Sequence, residues 1–375
     1  VTATNDRTDL LNALPLRDDL RGKTPYGAPQ LDVAVTLNTN ENTHPVPDDV
    51  QAAIVQEVSR AAAGLNRYPD REFTVLREEL AQYLGHGLTA ENIWAANGSN
   101  EILQQLMQAF GGPGRSVLSF VPTYSMYPIL SAGTNTAFIP GQRARDFTLP
   151  PESAAEQVRE HQPSIVILCS PNNPTGTALD DEVVDAVYQA SEASNSIVVV
   201  DEAYAEFSRN PAATAIRLLD GRPRLVVSRT MSKAFALAGA RIGYFAAAPQ
   251  IADAVRLVRL PYHLSAVSQA TALAALRHRT ALLADVESIK MQRDRIVDDL
   301  KRMGLGPSES DSNFVFFGGA FDARALWEYL LERGVLIRDV GIDGHLRVTA
   351  GTEEETTAFL EGVESYLESA AAPPA

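Results

Sequence analysis

The sequence predicts an α/β fold: a mostly parallel central sheet with helices on both faces, followed by a smaller α+β domain. Three observations lead there. Short apolar runs such as Ile165-Val-Ile-Leu-Cys169 and Ile197-Val-Val-Val200 lack polar alternation, as strands buried on both faces do. Helical patterns alternate with these runs along the first two thirds of the chain. At 375 residues the chain is long for a single core, so one large and one small domain are expected.

The elements follow in order. Leu14-Pro-Leu, Thr24-Pro-Tyr-Gly-Ala-Pro29 and Asn40-Glu-Asn-Thr-His-Pro45 are proline-rich and irregular, so residues 1–45 read as an arm lying on another surface. A helix begins near Asp48, an N-cap after Pro47. It keeps Val50, Ile54, Val58 and Ala61 on one face, and Gly64 stops it. A second helix turns Phe73, Leu76, Leu80, Tyr83 and Leu84 inward. Strand 93–96 leads to helix 100–110, and strand 116–120 to Tyr124. Strand 165–169 leads past a loop to helix 180–193. Strands 197–200, 225–228 and 242–246 complete a large domain, residues 46–262. After Pro261 the pattern changes to helix 267–277, a long helix 281–303, strand 313–317, helix 323–333, strands 335–338 and 346–349, and a final helix. These make a smaller domain, residues 263–369, with 370–375 as a disordered tail.

Composition narrows the function. Apolar content of 45% and a net charge of −15 with no concentrated basic stripe fit a soluble protein with no nucleic-acid partner. No apolar stretch is long enough for a membrane, and Val1-Thr-Ala-Thr-Asn-Asp-Arg-Thr8 has no signal-peptide core. Cys169 is the only cysteine, so no intrachain disulfide forms and a cytoplasmic location is expected; it ends an apolar run and reads as core. The six histidines show no metal-ligand spacing, so no metal is expected. No G-x-G-x-x-G lies at a strand-to-helix turn, which argues against a nicotinamide enzyme.

The chemistry concentrates in Ser228-Arg-Thr-Met-Ser-Lys-Ala-Phe-Ala-Leu-Ala-Gly-Ala-Arg241. A lysine held among small and apolar residues loses hydration, its ammonium pKa falls, and its free amine becomes a nucleophile for an aldehyde. Hydroxyls and an arginine nearby suit a phosphate. A lysine beside a phosphate site is what pyridoxal phosphate (PLP) requires. Asp201, at the end of an apolar run, could hold a pyridine nitrogen protonated; a helix cap or structural ion pair is the plainer reading of it alone. Gly98-Ser99-Asn100 opens an apolar-faced helix, where backbone N–H groups favour an anion; Ser and Asn are also ordinary N-caps. Asn173 sits in strong turn chemistry, and Asn173 and Tyr204 can both donate hydrogen bonds. Gly98, Tyr124, Asn173, Asp201 and Lys233 all fall at C-terminal strand ends, where such sheets place their sites.

With Ser170-Pro-Asn-Asn-Pro-Thr-Gly176 and Val200-Asp-Glu-Ala-Tyr204 preceding that lysine, the chain resembles the fold-type I PLP-dependent aminotransferases, and within them the histidinol-phosphate aminotransferase branch, from Leu14 to about Leu367. The resemblance implies the PLP-dependent transferase fold type I. It makes Lys233 the cofactor-bearing and catalytic residue, Asp201 the partner of the ring nitrogen, and Tyr204 and Asn173 the donors to the cofactor's phenolic oxygen. Gly98, Ser99 and Asn100, with Ser232 and Arg241, would hold the phosphate. Tyr124 matches the aromatic that stacks on the ring; Tyr127 lies close by, and either could instead be core. Tyr68, in Asn66-Arg-Tyr-Pro-Asp70, matches a tyrosine that reaches the phosphate of a neighbouring subunit, which implies a homodimer with shared sites. Tyr26 matches an arm that closes over substrate, and Tyr262 is placed by position to line the substrate cavity. Arg338 and Arg347 would bind substrate phosphate, with Arg347 also taking the α-carboxylate of glutamate; a salt bridge with Asp339 or Asp343 is the structural alternative. Thr43 stands where the branch usually has proline, which points to a more flexible arm. The implied reaction moves the amino group of L-histidinol phosphate to 2-oxoglutarate in histidine biosynthesis. An aromatic amino-acid aminotransferase and a PLP decarboxylase of a phosphorylated amino acid remain alternatives.

Overall fold

Six parallel strands and one antiparallel strand form the main sheet, and its parallel C-terminal edge carries most of the residues singled out above. The computed structural model describes residues 11, 13–210 and 212–371, the side chain of residue 371 excepted. The N-terminal segment 1–8 and tail residues 372–375 lie outside the described residues. The chain forms two units, residues 1–30 and 31–375. The described part of the first holds one short 3-10 turn, Asp18–Leu20, and no buried residue within it. Residues 31–45 belong to the second unit, where Val35 and Thr36 pair with Val335 and Leu336 and where Leu37, Asn38 and Asn40 are buried.

The strands are β1 (Val35–Thr36), β2 (Ile93–Ala96), β3 (Ser116–Val121), β4 (Ala137–Gln142), β5 (Ile165–Cys169), β6 (Ile197–Asp201), β7 (Leu225–Thr230), β8 (Gly243–Ala247), β9 (Gly306–Pro307), β10 (Phe314–Gly318), β11 (Val335–Leu336), β12 (Arg338–Asp339) and β13 (His345–Thr349). The main sheet runs β2-β8-β7-β6-β5-β3-β4, with β8 antiparallel to both neighbours and the other pairs parallel. Residues of β2, β5, β6, β7 and β8 are buried throughout, as expected of a sheet covered on both faces. A second, antiparallel sheet runs β12-β13-β10-β9, and β1 pairs with β11 in a two-stranded parallel ladder.

Several elements differ from expectation for physical reasons. Strand β4 carries Pro140 and Gly141, which disfavour a central strand; it lies at the sheet edge, where both are tolerated. The stretch expected as one strand over 335–338 is two: the chain leaves β11 at Leu336 and enters β12 at Arg338, changing sheets across Ile337. The long helix expected over 281–303 is split into Arg279–Leu282 and Val286–Arg302. The final helix, Glu353–Ala371, runs two residues into the expected tail. Pro47, not Asp48, is the N-cap of the helix Asp48–Ala62.

Candidate active site

Period-2 alternation splits the ends of β6 and β7 between two faces of the sheet. Asp201 lies opposite Ser228, and on the other face Glu202 meets Arg229. Asp201 is 2% exposed. Its Oδ1 accepts from Ser228 Oγ at 2.8 Å and its Oδ2 from Tyr127 OH at 2.8 Å. Burial pushes the carboxyl pKa up, against the pull of those two hydroxyls. No ion pair satisfies it among the described residues. A buried carboxylate with two hydroxyl donors and no cation fits a protonated ring nitrogen of a ligand.

Lys233 follows β7 in a turn closed by Leu237 N–H to Met231 O and Ala236 N–H to Lys233 O. Its Nζ donates to the carbonyl of Thr39 at 3.0 Å. Burial, and then the charge of Arg347, push its amine down to about 8, against the opposing carboxylate of Glu41. An amine with that pKa is substantially neutral, hence nucleophilic, near pH 8. Reductive trapping of a small aldehyde on the cofactor-free protein is therefore expected to accelerate as pH rises through about 8. The Arg347→Ala variant is expected to move that midpoint upward, because a repelling cation is gone. Mass spectrometry of the trapped residue measures both; a midpoint above pH 10 in the parent protein would contradict the assignment.

The cradle for an anion is made of backbone. Gly98 has φ 83° and caps the helix Ser99–Phe110 with no side-chain acceptor on its first N–H groups. Strand β8 runs directly beneath: a Cβ on Gly243 would stand 2.2 Å from Gly98 C and from Ser99 N. A Cβ on Gly98 would stand 2.6 Å from Arg241 Nη2, so the guanidinium lies against this turn. Ser232 is buried nearby in sequence, its Oγ accepting from Thr230 Oγ1 at 2.9 Å. Free helix N–H groups, a close guanidinium and the absence of a Cβ fit a phosphate. Tyr124 bonds the other end of this turn, its OH donating to Asn100 Oδ1 at 3.3 Å. Tyr124 is half-buried and meets the edge of the fully buried Tyr127 at 5.5 Å.

Three residues past Asp201, Tyr204 OH accepts from Asn40 Nδ2 at 3.0 Å and, more loosely, from Asn173 Nδ2 at 3.4 Å. Arg347 is 7% exposed and lies over the Phe314 ring at 5.1 Å. It donates to Asn173 Oδ1 at 2.6 Å and to the Asn38 carbonyl at 2.8 Å. Arg338 is directly opposite Arg347 in the β12–β13 ladder. Cross-strand neighbours carry their side chains on the same face, so two cations start from one side of this ladder, a chemistry suited to an anion. Tyr68 and Tyr262 stack on each other at 4.4 Å and 15°, with Tyr68 80% exposed, and neither hydrogen-bonds a residue of this cluster. Tyr26 belongs to the separate first unit and is half exposed there.

Sequence reasoning missed Ser228, Tyr127 as the Asp201 donor, the Thr39 carbonyl, Asn40 and Thr349. Ser228 had a signal: it ends β7 in register with Asp201 on the neighbouring parallel strand.

The described residues form no group of acidic, histidine or cysteine side chains fit for a metal, and no helix is long and apolar enough to cross a membrane. Comparison with known proteins is consistent across the chain. The histidinol-phosphate aminotransferase of Paenarthrobacter aurescens is 68% identical over 98% of this chain and 99% of its own length. That of Frankia casuarinae is 57% identical over 93% and 89%. The crystal structure of histidinol-phosphate aminotransferase from Sinorhizobium meliloti in complex with pyridoxal-5′-phosphate superimposes with a TM-score of 0.81 at 27% identity, covering 90% of this chain and 92% of that one. The family described as aminotransferase class I and II matches residues 32–363, and on that match and these identities the chain belongs to it.

Proposed function

We propose that this chain is a PLP-dependent transaminase that moves the amino group of L-histidinol phosphate to 2-oxoglutarate, giving imidazole-acetol phosphate and L-glutamate in histidine biosynthesis. The observation that carries the reading is the 68% identity, over 98% of the chain, to a histidinol-phosphate aminotransferase. The two arginines opposed across β12 and β13 supply the chemistry for a phosphorylated substrate.

When bound, PLP supplies an electron-accepting ring that stabilises negative charge at the substrate Cα. Gly98, Ser99, Asn100, Ser232 and Arg241 would hold its phosphate, Asp201 its ring nitrogen, Tyr204 with Asn173 its phenolic oxygen, and Tyr124 would stack on its ring. Lys233 Nζ would anchor it, and the same amine, when free, would hold and move the proton of the substrate Cα. An amine held at about 8 suits both roles, since it is neutral for a useful fraction of the time at physiological pH. Arg338 and Arg347 bind the substrate phosphate, and Arg347 the α-carboxylate when glutamate or 2-oxoglutarate occupies the same place.

The enzyme works as a homodimer in the cytoplasm, with Tyr68 reaching the phosphate site of the other subunit. Residues 46–262 act as the cofactor-binding domain and 263–369 as the smaller domain carrying both arginines. Tyr262 lines the substrate cavity.

The test is to follow the visible absorbance of the PLP-loaded protein on adding histidinol phosphate, or phenylalanine separately, without keto acid. Fast conversion with histidinol phosphate is expected; faster conversion with phenylalanine moves the function to the aromatic alternative, and released carbon dioxide moves it to a decarboxylase. Arg338→Ala is expected to raise KM for histidinol phosphate roughly 10- to 100-fold, the worth of a charged hydrogen bond, and to leave phenylalanine nearly unaffected. Equal losses on both substrates would remove Arg338 from phosphate recognition.

A further inference from the structure

We propose that Asn40 and Thr349 are positioning residues that force the Tyr204 hydroxyl to point its own hydrogen into the site. The inference deepens the PLP reading above and rests on it for its readout. It follows from counting donors and acceptors along one buried chain of groups.

Asn40 is 1% and Thr349 1% exposed, so every polar atom here must find its partner within the protein. The Asn40 backbone N–H, which can only donate, gives its hydrogen to Thr349 Oγ1 at 3.0 Å. Thr349 Oγ1 therefore spends a lone pair on it and directs its own hydrogen to Asn40 Oδ1, at 3.3 Å. That fixes which way the Asn40 amide faces: Oδ1 toward Thr349, Nδ2 toward Tyr204 OH at 3.0 Å. The Asn40 carbonyl accepts from Asn313 Nδ2 at 3.1 Å, and Asn40 takes φ 54°, a left-handed conformation that asparagine tolerates. The segment is thereby pinned from both sides.

A second amide repeats the logic. Arg347 can only donate, and its Nη1 lies 2.6 Å from Asn173 Oδ1. Asn173 must then present Nδ2 to Tyr204, at 3.4 Å. Two N–H groups thus converge on the phenol oxygen and occupy its acceptor positions. The phenol hydrogen has to go elsewhere, and as a donor it is strengthened by the bonds its oxygen accepts. Arg347 and Thr349 alternate on one face of β13, so a single strand orients both amides. The two carbonyls just before Asn40 serve the same centre: Asn38 accepts from Arg347 and Thr39 from Lys233.

Two disruptive single variants, one restoring variant and one background variant test this. Asn40→Ala removes the amide; Thr349→Val removes the hydroxyl that orients it while keeping the shape, and Thr349→Ser should restore it. The readout is the pH midpoint of the visible band of bound PLP, with thermal melting as a check on folding. A donor to the cofactor's phenolic oxygen favours its ionised form and so lowers that midpoint. Weakening the donor is expected to raise it by roughly half to one unit in Asn40→Ala and in Thr349→Val. The other charged or titratable groups around Tyr204, namely Arg347, Cys169 and Asp201, are unchanged in these variants. In a Tyr204→Phe background, Asn40→Ala is expected to add no further shift, because its target is gone. An equal shift in both backgrounds, or none in either folded single variant, overturns the proposal. Failure of the parent protein to bind PLP at all would instead strike the functional reading on which it rests.

Discussion

Replacing Lys233 by methionine is expected to lower transamination by at least about a thousandfold while leaving the cofactor-free protein as stable as before, or more so. The two effects come from one fact. The ammonium is desolvated and, among the described residues, bonds only the Thr39 carbonyl at 3.0 Å and has no carboxylate within ion-pair distance. Burying such a group costs free energy, and an unbranched apolar side chain of similar length removes that cost while keeping the packing. The sign of the pH dependence follows. Burial lowers the amine pKa from 10.5 to about 8, so the folded state binds the proton more weakly than the unfolded chain does. The penalty is absent above the unfolded pKa and grows as pH falls from there through about 8, so the stability gain of the variant should be greatest below pH 8. Urea midpoints at pH 7 and pH 10.5, with steady-state rates on histidinol phosphate, measure all three claims. Turnover within tenfold of the parent would assign the proton transfer to another group. A variant clearly less stable at pH 7 would make Lys233 a structural residue.

The features legible in the sequence were those set by local rules. Lys233, Asp201 and Gly98 each follow an apolar run that is a buried strand, and the parallel order places those run ends on one edge. Three further elements turn on proline and glycine: β4 hides behind Pro140 and Gly141, whereas Pro151 and Pro249 stand in the first turn of helices Pro151–His161 and Pro249–Arg256, where proline is favoured. The partners of the site residues were harder, because they depend on contacts distant in sequence. Asn40 meets Thr349 across 309 residues and Lys233 meets Thr39 across 194. Asn40 was visible only as one residue of an irregular, proline-rich stretch. Nothing in its neighbours says that a strand near the other end of the chain decides which way its amide faces.

The face of the main sheet turned away from Asp201 yields the other large expected effect: Arg229→Ala should destabilise the fold by about 3–5 kcal/mol. Arg229 donates to Glu202 Oε2 through Nε at 3.0 Å and Nη2 at 2.7 Å, and its Nη1 lies 3.4 Å from Glu206 Oε1. The three side chains are 11%, 4% and 9% exposed. Thr214 Oγ1 and the Ala215 N–H donate to Glu202, and Tyr83 OH donates to Glu206 at 3.1 Å. Burial raises the Glu206 carboxyl, as expected where two acids share one guanidinium. Removing Arg229 alone would leave both acids buried without their cation, whereas removing Glu202 with it leaves only Glu206, which keeps its hydrogen bond from Tyr83. The Arg229→Met, Glu202→Leu double variant is therefore expected to be less destabilised than Arg229→Ala, although it changes twice as many residues. Urea unfolding with an unchanged slope and a shifted midpoint measures this. Activity carries the second part of the argument. Glu202 adjoins Asp201 on β6 as Arg229 adjoins Ser228 on β7, so the ion pair clamps the same two strand ends whose opposite faces hold the Ser228–Asp201 bond. If the clamp sets that bond, the double variant will fold yet bind PLP more weakly. If it recovers stability and PLP affinity together, the charges serve stability alone, and Ser228 and Tyr127 suffice to hold the Asp201 carboxylate.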